Sequence, residues 1–281
     1  MNTTPETVSP VDSIPIPPDS EINRPSPAEV SPNNPPWGIF AAVGTWLMSV
    51  VLLVLVPGIC VLPYLAYKYK GVATTGETLL ADRTYIFLVV FSWLPAHLLT
   101  LALIWAVASR LGKISIKQVF GWSWGPKFRL GTSIGLAVLL FFLTLLLMSW
   151  LGGQETDLDR LLKSSRATAV MLAIIAVGTA PLVEEMIYRG LLYSAFQRVM
   201  GRWGAVAAVT AMFAGLHVVQ YWPNGAAIFS ISLLSLVLTM VRAQTGQLLP
   251  CFVVHLVFNG IQSVLIIIEP YIRLLFEKWQ H

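Results

Sequence analysis

Three short clusters carry most of the polar chemistry in the second half of this chain. Glu184-Glu185-Met186-Ile187-Tyr188-Arg189 closes one apolar run, Phe213-Ala214-Gly215-Leu216-His217 lies near the end of the next, and His255-Leu256-Val257-Phe258-Asn259 sits inside a third. Each pairs polar or aromatic side chains one helical turn apart, so each presents them on one face. Glu185 and Arg189 stand at i,i+4 in the order that favours an ion pair. That leaves Glu184 without a local cation, and such a carboxyl can serve as a base or an acid near neutral pH. Each cluster alone has an ordinary explanation: charges wetted at a helix end, or a histidine and an amide used as hydrogen-bonding glue between helices. Brought together, they supply a carboxylate, two imidazoles and an amide, a set able to activate water and stabilise an oxyanion, or to bind a divalent metal.

The elements that must position these groups are membrane spans. The chain has 281 residues, 56% hydrophobic and 11% charged, with ten Trp and eight Tyr. A soluble domain carries about 25% charged residues, so a soluble enzyme, a disordered chain and a nucleic-acid binder are excluded. The formal charge of +4 suits basic loops beside a membrane surface better than it suits nucleic acid. Residues 30–67, 84–109, 130–154, 167–183, 203–241 and 243–268 contain no Asp, Glu, Lys or Arg. A span needs about 20 apolar residues, which gives seven: roughly 39–65, 84–109, 130–151, 168–188, 203–219, 225–241 and 249–268. Trp222-Pro223-Asn224-Gly225 divides the longest run with turn chemistry. Pro57 and Pro63 would add an eighth span if they broke the first. The expected fold is an all-α polytopic membrane protein, a bundle of seven or eight helices around an intramembrane polar cavity. Unbroken apolar runs exclude a membrane β-barrel.

Four regions follow. Residues 1–36 hold ten prolines, five acidic residues and one Arg, and read as a disordered acidic tail that takes no part in a site. Residues 37–167 carry the first helices and loops, 168–268 the polar clusters, and 269–281 a short interfacial helix. His97, beside Pro95, reads as structural. Cys60 and Cys251 read as small buried hydrophobes, too few for a disulfide framework.

The ordered motifs resemble the type II CAAX prenyl endopeptidases, the Ras-converting endopeptidase family, whose bacterial members are the CPBP or Abi-type intramembrane proteases. The family pattern of Glu-Glu-x-x-x-Arg, Phe-x-x-x-His and His-x-x-x-Asn reads here as Glu184-Glu185…Arg189, Phe213…His217 and His255…Asn259. The resemblance covers about 168–265. It implies a helical bundle around a water-accessible cavity, with Glu184 activating water, His217 as its partner, and His255 and Asn259 stabilising the oxyanion. Glu185, Arg189, Tyr188 and Phe213 would support them. Members have been described both as metalloproteases and as glutamate-dependent proteases, and both readings stay open. A zinc ion would take Glu184, His217 and His255 plus a water.

The expectation is an intramembrane endopeptidase acting on a membrane-associated, in some cases lipidated, protein or peptide, in contact with membrane lipid and with no nucleic acid. A bacterial cytoplasmic membrane is the expected location. The rival readings are a non-enzymatic scaffold or bacteriocin-immunity factor of the same fold, and a transporter with a proton-relay Glu and His.

Overall fold

The computed structural model describes residues 30–126 and 128–279. Within them the chain is helical, and the only β contacts are two isolated bridges, Ser31 with Asn34 and Gly125 with Phe128. The helices are α1 (Ile39–Lys68), α2 (Gly76–Ala81), α3 (Arg83–Phe91), α4 (Trp93–Ala108), α5 (Ile116–Phe120), α6 (Leu130–Leu151), α7 (Asp157–Ser164), α8 (Arg166–Gly178), α9 (Ala180–Glu185), α10 (Tyr193–Tyr221), α11 (Gly225–Thr245) and α12 (Leu249–Trp279), with a π-helical segment, Met186–Leu192, between α9 and α10.

Six helical stretches among the described residues are long and apolar enough to cross a membrane. The fourth, Arg166–Tyr221, is 56 residues long and cannot be one traverse. Gly201 has φ 74° and ψ 177°, outside the helical region, in a conformation open to glycine because it lacks a Cβ. The Tyr188 and Phe213 rings lie 4.9 Å apart, whereas 25 residues of straight helix would separate them by roughly 37 Å. The chain therefore folds back at Gly201, and the stretch forms two arms. With these arms counted separately, the seven expected spans are accounted for. The eighth does not form, since α1 runs without interruption through Pro57 and Pro63.

The packing is that of a membrane bundle, with small and weakly polar groups inside and large apolar ones outside. Helix α1 buries Ala42, Thr45 and Ser49 at one-turn spacing and turns Val54, Ile59 and Leu62 outward. Some buried hydroxyls close onto their own helices, as Thr45 does on the Ala41 carbonyl at 2.8 Å and Thr100 on the Ala96 carbonyl at 2.9 Å. Cys251 is buried, but Cys60 faces outward, against expectation.

Two boundaries differ from the sequence reading. Residues 1–29 lie outside the described residues, but 30–36 are not a free tail: they pack on the bundle, held by side chains of α5, α10, α11 and the loop after α4. Prolines that forbid regular structure still offer carbonyls to donors, and arginines take them. At the other end, α12 continues through Pro270 to Trp279, so no separate interfacial helix begins at 269.

The end of α1 is tied to the start of α3 by one buried carboxylate. Asp82 Oδ2 accepts from Tyr64 Oη at 2.8 Å, Lys68 Nζ at 2.8 Å and Tyr69 Oη at 2.9 Å, while Oδ1 caps α3 through the Thr84 and Tyr85 N–H groups. Burial opposes the charged form, but the donors from Lys68, Tyr64, Tyr69 and the Tyr85 backbone prevail and hold this carboxyl well below the ordinary range. A carboxyl depressed in the fold contributes stability above its unfolded value, near 4, and loses it as pH falls through the folded value. Asp82→Asn is expected to lower the thermal midpoint at pH 7 by about 2–4 °C, with the deficit shrinking below about pH 4. Thermal unfolding in detergent across pH checks this, and a deficit that does not change with pH would show that the charge is irrelevant.

Candidate active site

The glutamates lie where the helix is least regular. Helix α8 stops at Gly178, and α9 restarts with Pro181 in its first turn, a position where a missing N–H costs nothing. After Glu185 the chain enters the π-helical segment, where the Tyr193 N–H reaches the Tyr188 carbonyl five residues back. Such an insertion re-aims side chains relative to a regular helix and is common at functional sites. Gly190 lets this segment approach α5: a Cβ there would stand 2.6 Å from the Phe120 ring.

Glu185 is fully buried, and one of its oxygens does two jobs. Oε1 accepts from Arg189 Nη1 at 3.0 Å and from His255 Nδ1 at 2.8 Å. Arg189, also fully buried, spends its other donors on α11: Nε on Thr239 Oγ1 at 3.2 Å, and Nη2 on the Ser235 carbonyl and hydroxyl, both at 3.0 Å. Its guanidinium lies 4.8 Å from the Phe213 ring centroid. The expected pair is present, and it also anchors α12 through His255.

His255 links the two glutamates. With Nδ1 directed at Glu185, its Nε2 faces Glu184 Oε2 at 3.7 Å. That is too long for a hydrogen bond and within reach of one shared water. The Glu184 side chain is 26% exposed, while that of His255 is 3% exposed, so the carboxylate is the accessible member. Glu184 is also within electrostatic range of His97, Tyr188 and Tyr221.

The α10 arm supplies the second imidazole. His217 stacks on Phe213 with centroids 4.4 Å apart, and its Nδ1 lies 2.8 Å from the Phe213 carbonyl. A carbonyl only accepts, so Nδ1 carries the hydrogen and a neutral ring leaves Nε2 as an acceptor. Phe213 is fully buried and also meets His255 edge-on, with centroids 6.4 Å apart. Tyr188 packs edge-on against Phe213 and receives a hydrogen bond from Trp46 Nε1 at 3.1 Å. Asn259 points its Nδ2 at the Ala176 carbonyl of α8, 3.0 Å away; its second N–H is not used in that bond.

The structure thus brings Glu184, Glu185, Arg189 and His255 into one network and sets His217 beside it across Phe213. The zinc reading is not borne out: among the described residues no three His, Cys, Asp or Glu side chains are placed to hold one metal ion. Glu184, His217 and His255 are therefore not gathered as a ready ligand set, although both histidines have Nδ1 engaged and Nε2 left over; each of the two rings contacts Phe213.

Several contributors were missed in the sequence. His97, read as structural, has Thr179 Oγ1 as its partner, 2.7 Å from Nδ1, at the break before α9. Ser235 and Thr239 looked like ordinary small residues of a span. Arg242 did carry a signal: it is the only Asp, Glu, Lys or Arg between 203 and 268.

Removing one partner from a buried ion pair leaves an uncompensated charge, at about 3–5 kcal/mol. Glu185→Gln is expected to destabilise the protein by that amount, and Glu185→Gln combined with Arg189→Met to recover part of it. Denaturant unfolding of reconstituted protein measures both. Full stability of the single variant would mean that Ser235 and Thr239 suffice for Arg189.

No curated protein and no solved structure matches this chain. A family model does, over about a third of its length and across all three motifs. Residues 166–261 match the family described as type II CAAX prenyl endopeptidase Rce1-like, in agreement with the resemblance read from the motifs.

Proposed function

We propose that this multi-pass membrane protein is an intramembrane endopeptidase that cleaves a membrane-associated or lipidated protein or peptide by water activated between Glu184 and His255. The observation that carries the reading is His255 itself, fixed through Nδ1 by a buried carboxylate and turned through Nε2 toward a second, accessible one. A bundle held together only by glue has no need of that second carboxylate in an apolar interior, where it is costly.

The chemistry follows from the donors. Glu184 takes a proton from a water, whose oxygen attacks the peptide carbonyl carbon. The tetrahedral oxyanion is met by the spare N–H of Asn259 and by His255 Nε2 once Glu184 has passed that proton to it. Collapse breaks the C–N bond, and the proton gained by the carboxylate–imidazole pair passes to the departing amine. His217, with an acceptor nitrogen free, assists as a second proton carrier on the other side of Phe213. Every step uses protein groups and water. A bacterial cytoplasmic membrane suits the reading, with substrate entering laterally from lipid.

Glu184→Gln keeps the side-chain size and removes the base. In liposomes containing membrane-anchored peptides, with and without a prenyl group, it is expected to cost at least about 100-fold in turnover, with unfolding unchanged because the side chain is partly exposed. Cleavage by the variant at the wild-type rate would remove Glu184 from the mechanism and favour a scaffold or immunity factor. Comparison of the two peptide sets then shows whether the lipid is part of what is recognised.

A further inference from the structure

Side-chain donors reach three carbonyls of the π-helical segment after the glutamates, two of them from distant parts of the chain. Arg242 Nε bonds to the Arg189 carbonyl at 3.1 Å, Ser194 Oγ to that of Gly190 at 2.6 Å, and Trp37 Nε1 to that of Leu191 at 3.1 Å. Two of these three donors depend on the N-terminal segment. Trp37 belongs to it, with its ring buried against Phe120. Arg242, 1% exposed, directs its other two nitrogens at Asn33 Oδ1, 3.0 Å, and the Pro32 carbonyl, 2.6 Å.

These contacts leave the buried Arg242 cation on neutral acceptors, two of its three hydrogen bonds being to residues 32 and 33. Removing them would strand a charge inside the protein, which is costly. The segment is made for the task. Ser31 and Asn34 close a turn through paired backbone bonds of 3.2 and 3.0 Å. Pro32, Pro35 and Pro36 have no N–H to satisfy, and their carbonyls go to Arg242, Arg198 and Arg110 in turn.

We propose that residues 30–37 form a strap that positions the active site, with Trp37 and Arg242 as positioning residues that clamp the π-helical segment and so set the aim of Glu184 and Glu185. A continuous series of contacts runs from Asn33 through Arg242 to the Arg189 backbone, and from Arg189 through Glu185 to His255. Neither positioning residue touches substrate. The strap would govern turnover rather than binding, and a chain cut between 29 and 38 would lose activity that a cut before 30 would keep. The effect on turnover rests on the hydrolase reading; the clamp itself does not.

The test uses full-length protein in lipid nanodiscs and the variants Trp37→Phe, which keeps most of the ring and loses the N–H, and Asn33→Ala, which removes one acceptor from Arg242. Both are mild enough to fold, and thermal unfolding verifies it. Amide hydrogen exchange of the peptide covering 186–193 is expected to rise about fivefold in each, the loss of roughly one hydrogen bond, with α6 unchanged. With the membrane-anchored peptides, kcat is expected to fall about 10-fold, as misplacement of catalytic groups does, with KM within about twofold. Unchanged exchange at 186–193 in both variants overturns the clamp. Faster exchange with unchanged kcat, in a protein whose Glu184→Gln variant is inactive, overturns the positioning role. If the wild type cleaves nothing, the hydrolase reading fails, and exchange alone decides for or against the clamp.

Discussion

A single carboxylate oxygen, Glu185 Oε1, holds the centre of this molecule together. A fully buried carboxylate costs several kcal/mol to remove from water, and the fold answers with two donors on that one atom. Arg189 comes from the next turn of the same segment and His255 from a helix 70 residues away. Each carries a further requirement. A buried guanidinium has five N–H groups, which brings Ser235 and Thr239 of α11 against the π-helical segment. An imidazole fixed at Nδ1 leaves Nε2 to face Glu184. The arrangement of α9, α11 and α12 can be read as the set of positions that supplies Oε1 with its donors, while Oε2 is buried with no partner among the described residues.

The division of labour between the adjacent glutamates follows. Glu185 is enclosed and shared; Glu184 is accessible and meets one imidazole beyond direct hydrogen-bond distance. Two identical residue types at neighbouring positions thus have unlike surroundings, since successive side chains of a helix leave it in different directions, and here one is enclosed and the other partly exposed. Phe213 does the same for the histidines, stacking on one and meeting the other edge-on, so that each is oriented without the two touching.

What could be read in the sequence was whatever is local. The Glu185–Arg189 pair, the meeting of Phe213 and His217 one turn apart and the apolar lengths of the spans all depend on residues a turn or a helix apart, and these held. The hairpin at Gly201 was visible as the gap between the spans ending at 188 and starting at 203. What could not be read was long-range: that His255 reaches Glu185 as well as Glu184, and that Asn259 spends an N–H on α8. The tail was misjudged for a different reason. Proline content was weighed as a loss of donors and of regular structure, which is correct, but residues 30–36 are held by their acceptors, and no backbone periodicity announces that. Arg242, isolated between two charge-free runs, was the visible clue.

The spacing of Glu185 and Arg189 also bears on how the protein is made. A membrane protein emerges from the ribosome in order, and a lone charge at the centre of a helix costs about 2.5–3.5 kcal/mol on insertion. The permanent partners of this pair arrive late: Ser235 and Thr239 follow Arg189 by 46 and 50 residues, and His255 follows Glu185 by 70. Until then the carboxylate and the guanidinium have only each other, one turn apart. A segment that carries its own counter-charge can leave the translocon neutralised and wait in lipid for the helices that will complete it. The same two residues at a longer separation would each meet the lipid alone and add that cost on insertion.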